Sequence, residues 1–196
     1  MGFDLYGMNP KINKEPDKYS VYNKYKDMDF KQKWEELDAD EELQKQYWKE
    51  HTDYEENNPG VYFRNNVWWW RPLWQFVCER FDDVLTDDDM EHGNYNDGHE
   101  ITADKAMQIG IDLTCMLEDG RIEAYNDRYK AELNAMPQVD CRVCNGNNHG
   151  NRKRRECPSC NQTGLVDDWA KSYPFDVENI REFAEFCLQS GGFTIC

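Results

Sequence analysis

The chain has 196 residues, 39% hydrophobic and 32% charged, with a mean hydropathy of −1.00 and a formal net charge of −16. That length supports one domain with a real core and a small appendage. No apolar run approaches the length needed to span a bilayer, and the N-terminus lacks the basic start and apolar stretch of a secretory signal. A cytoplasmic protein without a membrane partner is expected, in a compartment where thiols stay reduced.

The charge is unevenly placed. Residues 141–196 balance 7 basic against 7 acidic side chains, so the whole acidic excess precedes them. Within that neutral part, Arg142 and the run Arg152, Lys153, Arg154 and Arg155 crowd together. The pattern is an acidic body with a basic tip. Such a body repels nucleic acid and attracts basic protein surfaces, whereas the tip from Arg152 to Arg155 is suited to direct phosphate contact. A solvated loop and plain solubility are the competing explanations.

In chain order, Gly2-Phe3-Asp4-Leu5-Tyr6-Gly7 reads as a short extended segment against the core. Residues 9–29, with Pro10 and Pro16, read as loop. From Phe30 to His51 the pattern is helical, with Asp29 capping the start, a break at Asp38-Ala39-Asp40, and Asp40 capping a second piece. This stretch is predicted to be a lid or insertion on the main body. Asn58-Pro59-Gly60 is a turn, Val61 to Phe63 is extended, and Asn66 can cap the segment after it. Because Pro72 suits a first helical turn, the main helix is predicted to start near Arg71. Trp68, Trp69, Trp70 and Trp74 exceed what one helix face can hold, since successive residues rotate by about 100°. Core packing is the principal expectation, and a stacking platform for flat ligands is the alternative.

Thr86 opens a short helix through a capping box with Asp89. The polar loop from Glu91 to Glu100 comes next. Its His92, Asp97 and His99, with Arg64 and Asn65 as neighbours, are the candidate catalytic groups, able to act as acid or base or to offer metal ligands. The competing reading is a loop whose side chains bond its own backbone. Thr102 then caps a helix with the stripe Ala106, Gly110, Leu113 and Leu117, stopped by Gly120. A second helix from Arg121 to Met136 completes an antiparallel hairpin, ended by Pro137. Near the C-terminus, Trp169, Tyr173 and Phe175 are predicted anchors. Asp176 caps a last helix, Gly191-Gly192 stop it, and residues 193–196 form a docked tail or edge strand.

Between these helices lie Cys141-Arg-Val-Cys144 and Cys157-Pro-Ser-Cys160, two Cys-x-x-Cys pairs separated by twelve residues. Each pair places two thiolates on one edge of a tetrahedron, and two pairs close the site without an open position for water. One structural Zn2+ on Cys141, Cys144, Cys157 and Cys160 is the reading this chemistry favours. Two disulfides, four free thiols, or His149 replacing one cysteine are the alternatives. Cys78, Cys115, Cys187 and Cys196 lack paired spacing and read as buried free thiols. The expected architecture is therefore mainly α: a helical body of residues 1–138 and 167–196 with short extended segments, carrying a zinc knuckle or ribbon in residues 139–166.

Two resemblances attach to these residues. Cys141-Arg-Val-Cys-Asn-Gly and Cys157-Pro-Ser-Cys-Asn-Gln-Thr-Gly resemble degenerate halves of the Cys-x-x-Cys-x-Gly-x-Gly repeats of DnaJ-type chaperones. With cysteines for one metal and no J-domain signature, the likeness concerns metal chemistry only. Gly2 to Gly7, Tyr62 to Trp74 and Tyr173 to Cys187 resemble a family of small bacteriophage and bacterial proteins, which implies an origin and no mechanism. Together these features predict a zinc-containing binding or regulatory protein, with a host protein or a nucleic-acid-processing complex as partner. Inhibition by an acidic mimic of nucleic acid is one form of this. A hydrolase-like enzyme using the His92–His99 loop and a virion or assembly component are the alternatives. No Gly-x-Ser-x-Gly, phosphate-binding glycine loop or deaminase signature supports the enzyme.

Overall fold

The structure, a computed structural model, describes residues 2–13, 18–144, 157–161 and 163–196. It is mainly helical, as the sequence predicts, and its short extended segments pair into a small antiparallel sheet. The sheet joins β1 (Gly2–Gly7), β2 (Tyr62–Asn66), β3 (His99–Ile101) and β6 (Phe193–Ile195) in the order β2-β1-β6-β3. Alternation along each strand turns Phe3, Leu5, Phe63, Ile101, Phe193 and Ile195 into the core. A second, two-stranded sheet pairs β4 (Val139–Asp140) with β5 (Leu165–Val166).

The C-terminal segment, expected as a docked tail or edge strand, docks as an inner strand and not at an edge. Gly191 and Gly192 take φ values of 63° and 91°, left-handed turns that glycine adopts without steric cost. They swing the chain from the last helix back between β1 and β3. Reciprocal bonds between the backbones of Asp4 and Cys196, at 2.8 and 2.9 Å, fix it there.

Helices α4 (Val67–Arg80), α6 (Ala103–Glu118), α7 (Arg121–Ala135) and α8 (Val177–Ser190) build the rest of the body. α4 and α8 pack on the sheet, α6 lies along α8, and α7 folds back on α6. The turn between α6 and α7 is Gly120 at φ 79°. The inner stripe of α6 is Ala106, Ile109, Gly110 and Leu113, with Leu117 half-buried. Gly110 allows close approach: a Cβ there would stand 2.8 Å from Leu188 Cγ. Thr102 occupies the N-cap position of α6 without a side-chain bond.

α4 begins at Val67, four residues before the expected start. Asn66 Oδ1 accepts from the amides of Trp68 and Trp69 at 3.0 and 3.2 Å, so the cap is in place upstream of Pro72. Pro72 lies inside the helix and offers no N–H to the Trp68 carbonyl. Burial of Trp70, Leu73, Trp74 and Val77 along one stripe compensates. Trp70 stacks on Trp74 (5.2 Å between ring centroids) and on Phe3 (5.3 Å).

α1 (Ser20–Tyr25), α2 (Phe30–Asp38) and α3 (Glu41–Asn57) enclose a small core of their own around Tyr25, Leu37 and Tyr47. α1 falls within the predicted loop. α3 continues past His51 because Tyr54 packs on Tyr19 and Tyr22, at 5.3 and 4.8 Å. Asp29 and Asp40 cap α2 and α3 as predicted. Among the described residues no helix is long and apolar enough to cross a membrane.

Candidate metal centre

β4 delivers Cys141, and a turn through Arg142 and Val143 brings round Cys144. The second turn runs from Cys157 to Asn161, whose φ of 47° is left-handed, and Gly164 at 77° redirects the chain into β5. The amide of Cys141 donates to Gly164 O at 2.8 Å, and the Thr163 hydroxyl donates to Cys160 O at 2.7 Å. These local bonds set the two turns against each other. The sulfurs of Cys141 and Cys157 stand 3.7 Å apart, as do those of Cys144 and Cys160. All four lie within 4.8 Å of one another and are buried.

A disulfide requires about 2.05 Å between sulfurs, so none is formed, and all eight cysteines are free. A regular tetrahedron with metal–sulfur bonds of about 2.3 Å has edges of about 3.8 Å. The observed spacing therefore suits a metal ion at the centre. Burial, with the surrounding sulfurs, raises the Cys144 thiol above its ordinary value. Four thiolates here need a compensating cation, which a metal dication supplies. Gly146, His149 and the basic run Arg152, Lys153, Arg154 and Arg155 lie outside the described residues.

The module is tied to the body by rings. Asp168 Oδ1 accepts from Ala170 N at 2.9 Å and caps a short 3-10 turn, Trp169–Ser172. Trp68 of α4 meets Trp169 and Tyr173 at 5.5 and 5.0 Å between centroids. Phe175 packs on Phe76 at 5.4 Å, and the Tyr129 hydroxyl donates to Tyr173 O at 2.9 Å. The predicted anchors Trp169, Tyr173 and Phe175 thus make the contacts. The aromatic block divides: Trp70 and Trp74 are core, while Trp68 remains 40% exposed. Of the other four cysteines only Cys187 is fully buried. Cys78 is half-buried, and Cys115 and Cys196 are exposed.

The polar loop brings its two histidines together. Their rings stack at 5.1 Å with 19° between planes. His92 Nδ1 lies 2.5 Å from Asp97 Oδ2, and His99 Nε2 lies 2.9 Å from Asp89 Oδ1. Asp89 also bonds Lys105 Nζ and the Thr86 amide. Burial raises its carboxyl, but Lys105, Thr86 and His99 outweigh that and hold it below the usual carboxylate range. Asp97 raises the His92 ring above its ordinary value. Asp89 was legible as a helix cap; its ties to His99 and Lys105 join separate elements and had no local signal.

Arg64 and Asn65 are not neighbours of this cluster. They sit on β2 and His99 on β3, opposite edges of the four-stranded sheet, about 14 Å apart at ordinary strand spacing. Arg64 faces Asp4 at 3.5 Å, and Asn65 Nδ2 donates to Asn179 Oδ1 at 2.6 Å. Strand order carries no short-range signature, so the separation of these residues was not legible locally. The loop itself is held by its own polar groups: Asn94 Nδ2 donates to Met90 O, and Asn96 Nδ2 to Gly2 O. The principal grooves among the described residues are lined by other side chains than His92, Asp97 and His99.

No family model, curated protein or solved structure matches this chain. The likenesses to DnaJ-type repeats and to a phage family therefore rest on the residues quoted for them.

Proposed function

We propose that Cys141, Cys144, Cys157 and Cys160 hold one Zn2+ as a structural ion, in a binding or regulatory protein that contacts a partner protein or a nucleic-acid-processing complex. The observation that carries the metal is a closed set of four sulfurs within 4.8 Å of one another, two of their pairs at 3.7 Å. Zinc satisfies such a site with no redox chemistry and no open position. When bound, it would staple the two turns that β4 and β5 alone hold with two residues each.

Support for the binding role comes from what the module exposes. Val139, Val143 and Leu165 are 37%, 59% and 41% exposed. A small module that spends its fold on presenting apolar side chains has the character of a contact surface. The acidic body favours a partner with a basic face, and this is the ground for a nucleic-acid mimic or inhibitor. The enzyme alternative needs a substrate cavity at His92 and His99, and the Asp–His pairs instead tie β3 to α5 (Asp87–His92) through His99 and Asp89 and close the intervening loop through His92 and Asp97.

Elemental analysis of protein purified under reducing conditions tests the first half. One zinc per chain is expected, and a cobalt-substituted form should show the absorption of a tetrahedral thiolate site. Chains without any bound metal would overturn it. For the second half, immobilised wild type and Val143→Asp are compared as bait for a host lysate. A partner retained by the wild type and lost from the variant supports the role; equal retention by both would overturn it.

A further inference from the structure

A groove of about 660 Å3 runs between α4, the end of α5, α7 and the turn at Trp169–Ser172. It is separate from the cysteines and of the size that small ligands occupy, about 300–1,000 Å3. Its walls are flat rings and soft apolar groups: Trp169 and Tyr173 with Met90, Leu133 and Met136, over the buried Trp74. Such walls accept a planar aromatic body by stacking and thioether contact.

The polar groups on the walls decide what such a body must carry. The Trp74 indole N–H is taken by Met90 O at 3.2 Å, and the Tyr129 hydroxyl by Tyr173 O. Gln75 Nε2 is bonded to Glu79 at 2.9 Å and Asn94 Nδ2 to Met90 O at 3.0 Å. Glu132 faces Arg128 at 3.8 Å. Burial pushes the Cys78 thiol up to about 12, so it stays uncharged. Arg71 is the cation of the lining, with no carboxylate partner among the described residues, and the neutral Trp169 indole N–H and Tyr173 hydroxyl are further donors. A guanidinium left unpaired beside an apolar wall is a ready partner for a carboxylate, sulfonate or phosphate.

We infer that this groove is a binding site for a planar aromatic anion, its rings held by Trp169, Tyr173 and the methionines and its charge on Arg71. The site is independent of which metal the cysteines hold and goes beyond the role proposed above.

Two fluorescent probes with the same rings test it: 8-anilinonaphthalene-1-sulfonate and its uncharged counterpart N-phenyl-1-naphthylamine. They are titrated into the metal-loaded full chain at 0.15 M NaCl. One equivalent of the sulfonate should bind, about tenfold or more tighter than the neutral probe. Arg71→Met, at an exposed position, should weaken the sulfonate about tenfold and leave the neutral probe within about twofold, the loss of one charge-assisted contact. Ala170→Phe, which fills the groove from its wall, should abolish both, with melting and near-ultraviolet dichroism confirming that each variant is folded. Equal affinity for the two probes in the wild type would overturn the inference. So would an unchanged sulfonate affinity in folded Arg71→Met, or sulfonate binding that survives in folded Ala170→Phe.

Discussion

Replacing Cys144 with serine probes both the metal and the architecture around it. The 3.7 Å edge between paired sulfurs corresponds to a tetrahedral metal–sulfur distance of about 2.3 Å, the zinc–thiolate value. X-ray absorption on the wild type should therefore give four sulfurs at that distance. Structural zinc sites contribute roughly 10–16 kcal/mol of binding, so loss of one of four ligands removes about 3–4 kcal/mol and weakens zinc about 100- to 1,000-fold. A chromogenic chelator should strip the variant under conditions that leave the wild type loaded. The body should barely respond. The four cysteines form a cluster of their own, joined by Val166 and separate from the main core. A cost to that core below about 1 kcal/mol moves the melting temperature of a chain this size by no more than about 2–4 °C. Retained zinc at wild-type affinity would refute the ligand assignment. A drop beyond about 10 °C would refute the energetic separation of module and body.

Three further perturbations test the packing and the charges. Gly93→Ala places a Cβ 2.0 Å from the buried Trp74 ring, so the variant should lose about 1–3 kcal/mol or more through overpacking, read by urea titration; neutral behaviour would mean the α4–α5 contact is looser than described. Glu55 on α3 is pushed up to about 7 by burial. Its folded value exceeds the unfolded one, so its favourable contribution is complete below about pH 4.3 and is lost as pH rises through 7. Glu55→Gln should then stabilise the protein by about 1–2 kcal/mol at pH 8, discounted for partial exposure, and have no effect at pH 4; a gain equal at both pH values would contradict the assignment. Asp89 has the opposite sign: its depressed carboxyl stabilises above the unfolded value near pH 3.9, and that stabilisation disappears as pH falls through the lower folded value. Asp89→Asn should cost about 2–4 kcal/mol at pH 7, because it leaves Lys105 and His99 facing a neutral group, and the cost should shrink in acid; a pH-independent deficit would point to packing instead.

What was legible in the chain was local chemistry. Asp29, Asp40, Asn66, Thr86 and Asp176 cap their helices through bonds spanning two or three residues, a range that sequence displays directly. The cysteine quartet was legible because ligand spacing is set by the metal's own geometry. What failed was non-local. Residues 193–196 become an inner strand through partners almost a whole chain length away, in β1. α1 is held by side chains of α3, with Glu50 accepting from the amides of Val21 and Tyr22 at 2.8 and 2.9 Å, so nothing within residues 20–25 announces it. Arg64 and Asn65 were expected beside the His92–His99 loop and lie across the sheet from it, for the same reason.

The aromatic block shows how local and non-local terms meet. Three consecutive tryptophans cannot share a helix face, and the fold resolves this by using them for different tasks. Trp70 and Trp74, four residues apart, turn inward and donate from their indole nitrogens to Gly93 O and Met90 O, which fixes the end of α5. Trp68 turns outward and meets Trp169 and Tyr173 on the far side of the cysteine module. The early start of α4 follows from this division. A helix beginning at Arg71 would leave Trp68 and Trp70 without helical positions, and both the buried ring stack and the anchor of the module would be lost. The Asn66 cap and the burial of Trp70 and Trp74 thus outweigh the hydrogen bond missing at Pro72. The same turn of helix sets Arg71 at the mouth of the neighbouring groove, so one registration of α4 positions the core, the module and the exposed guanidinium together.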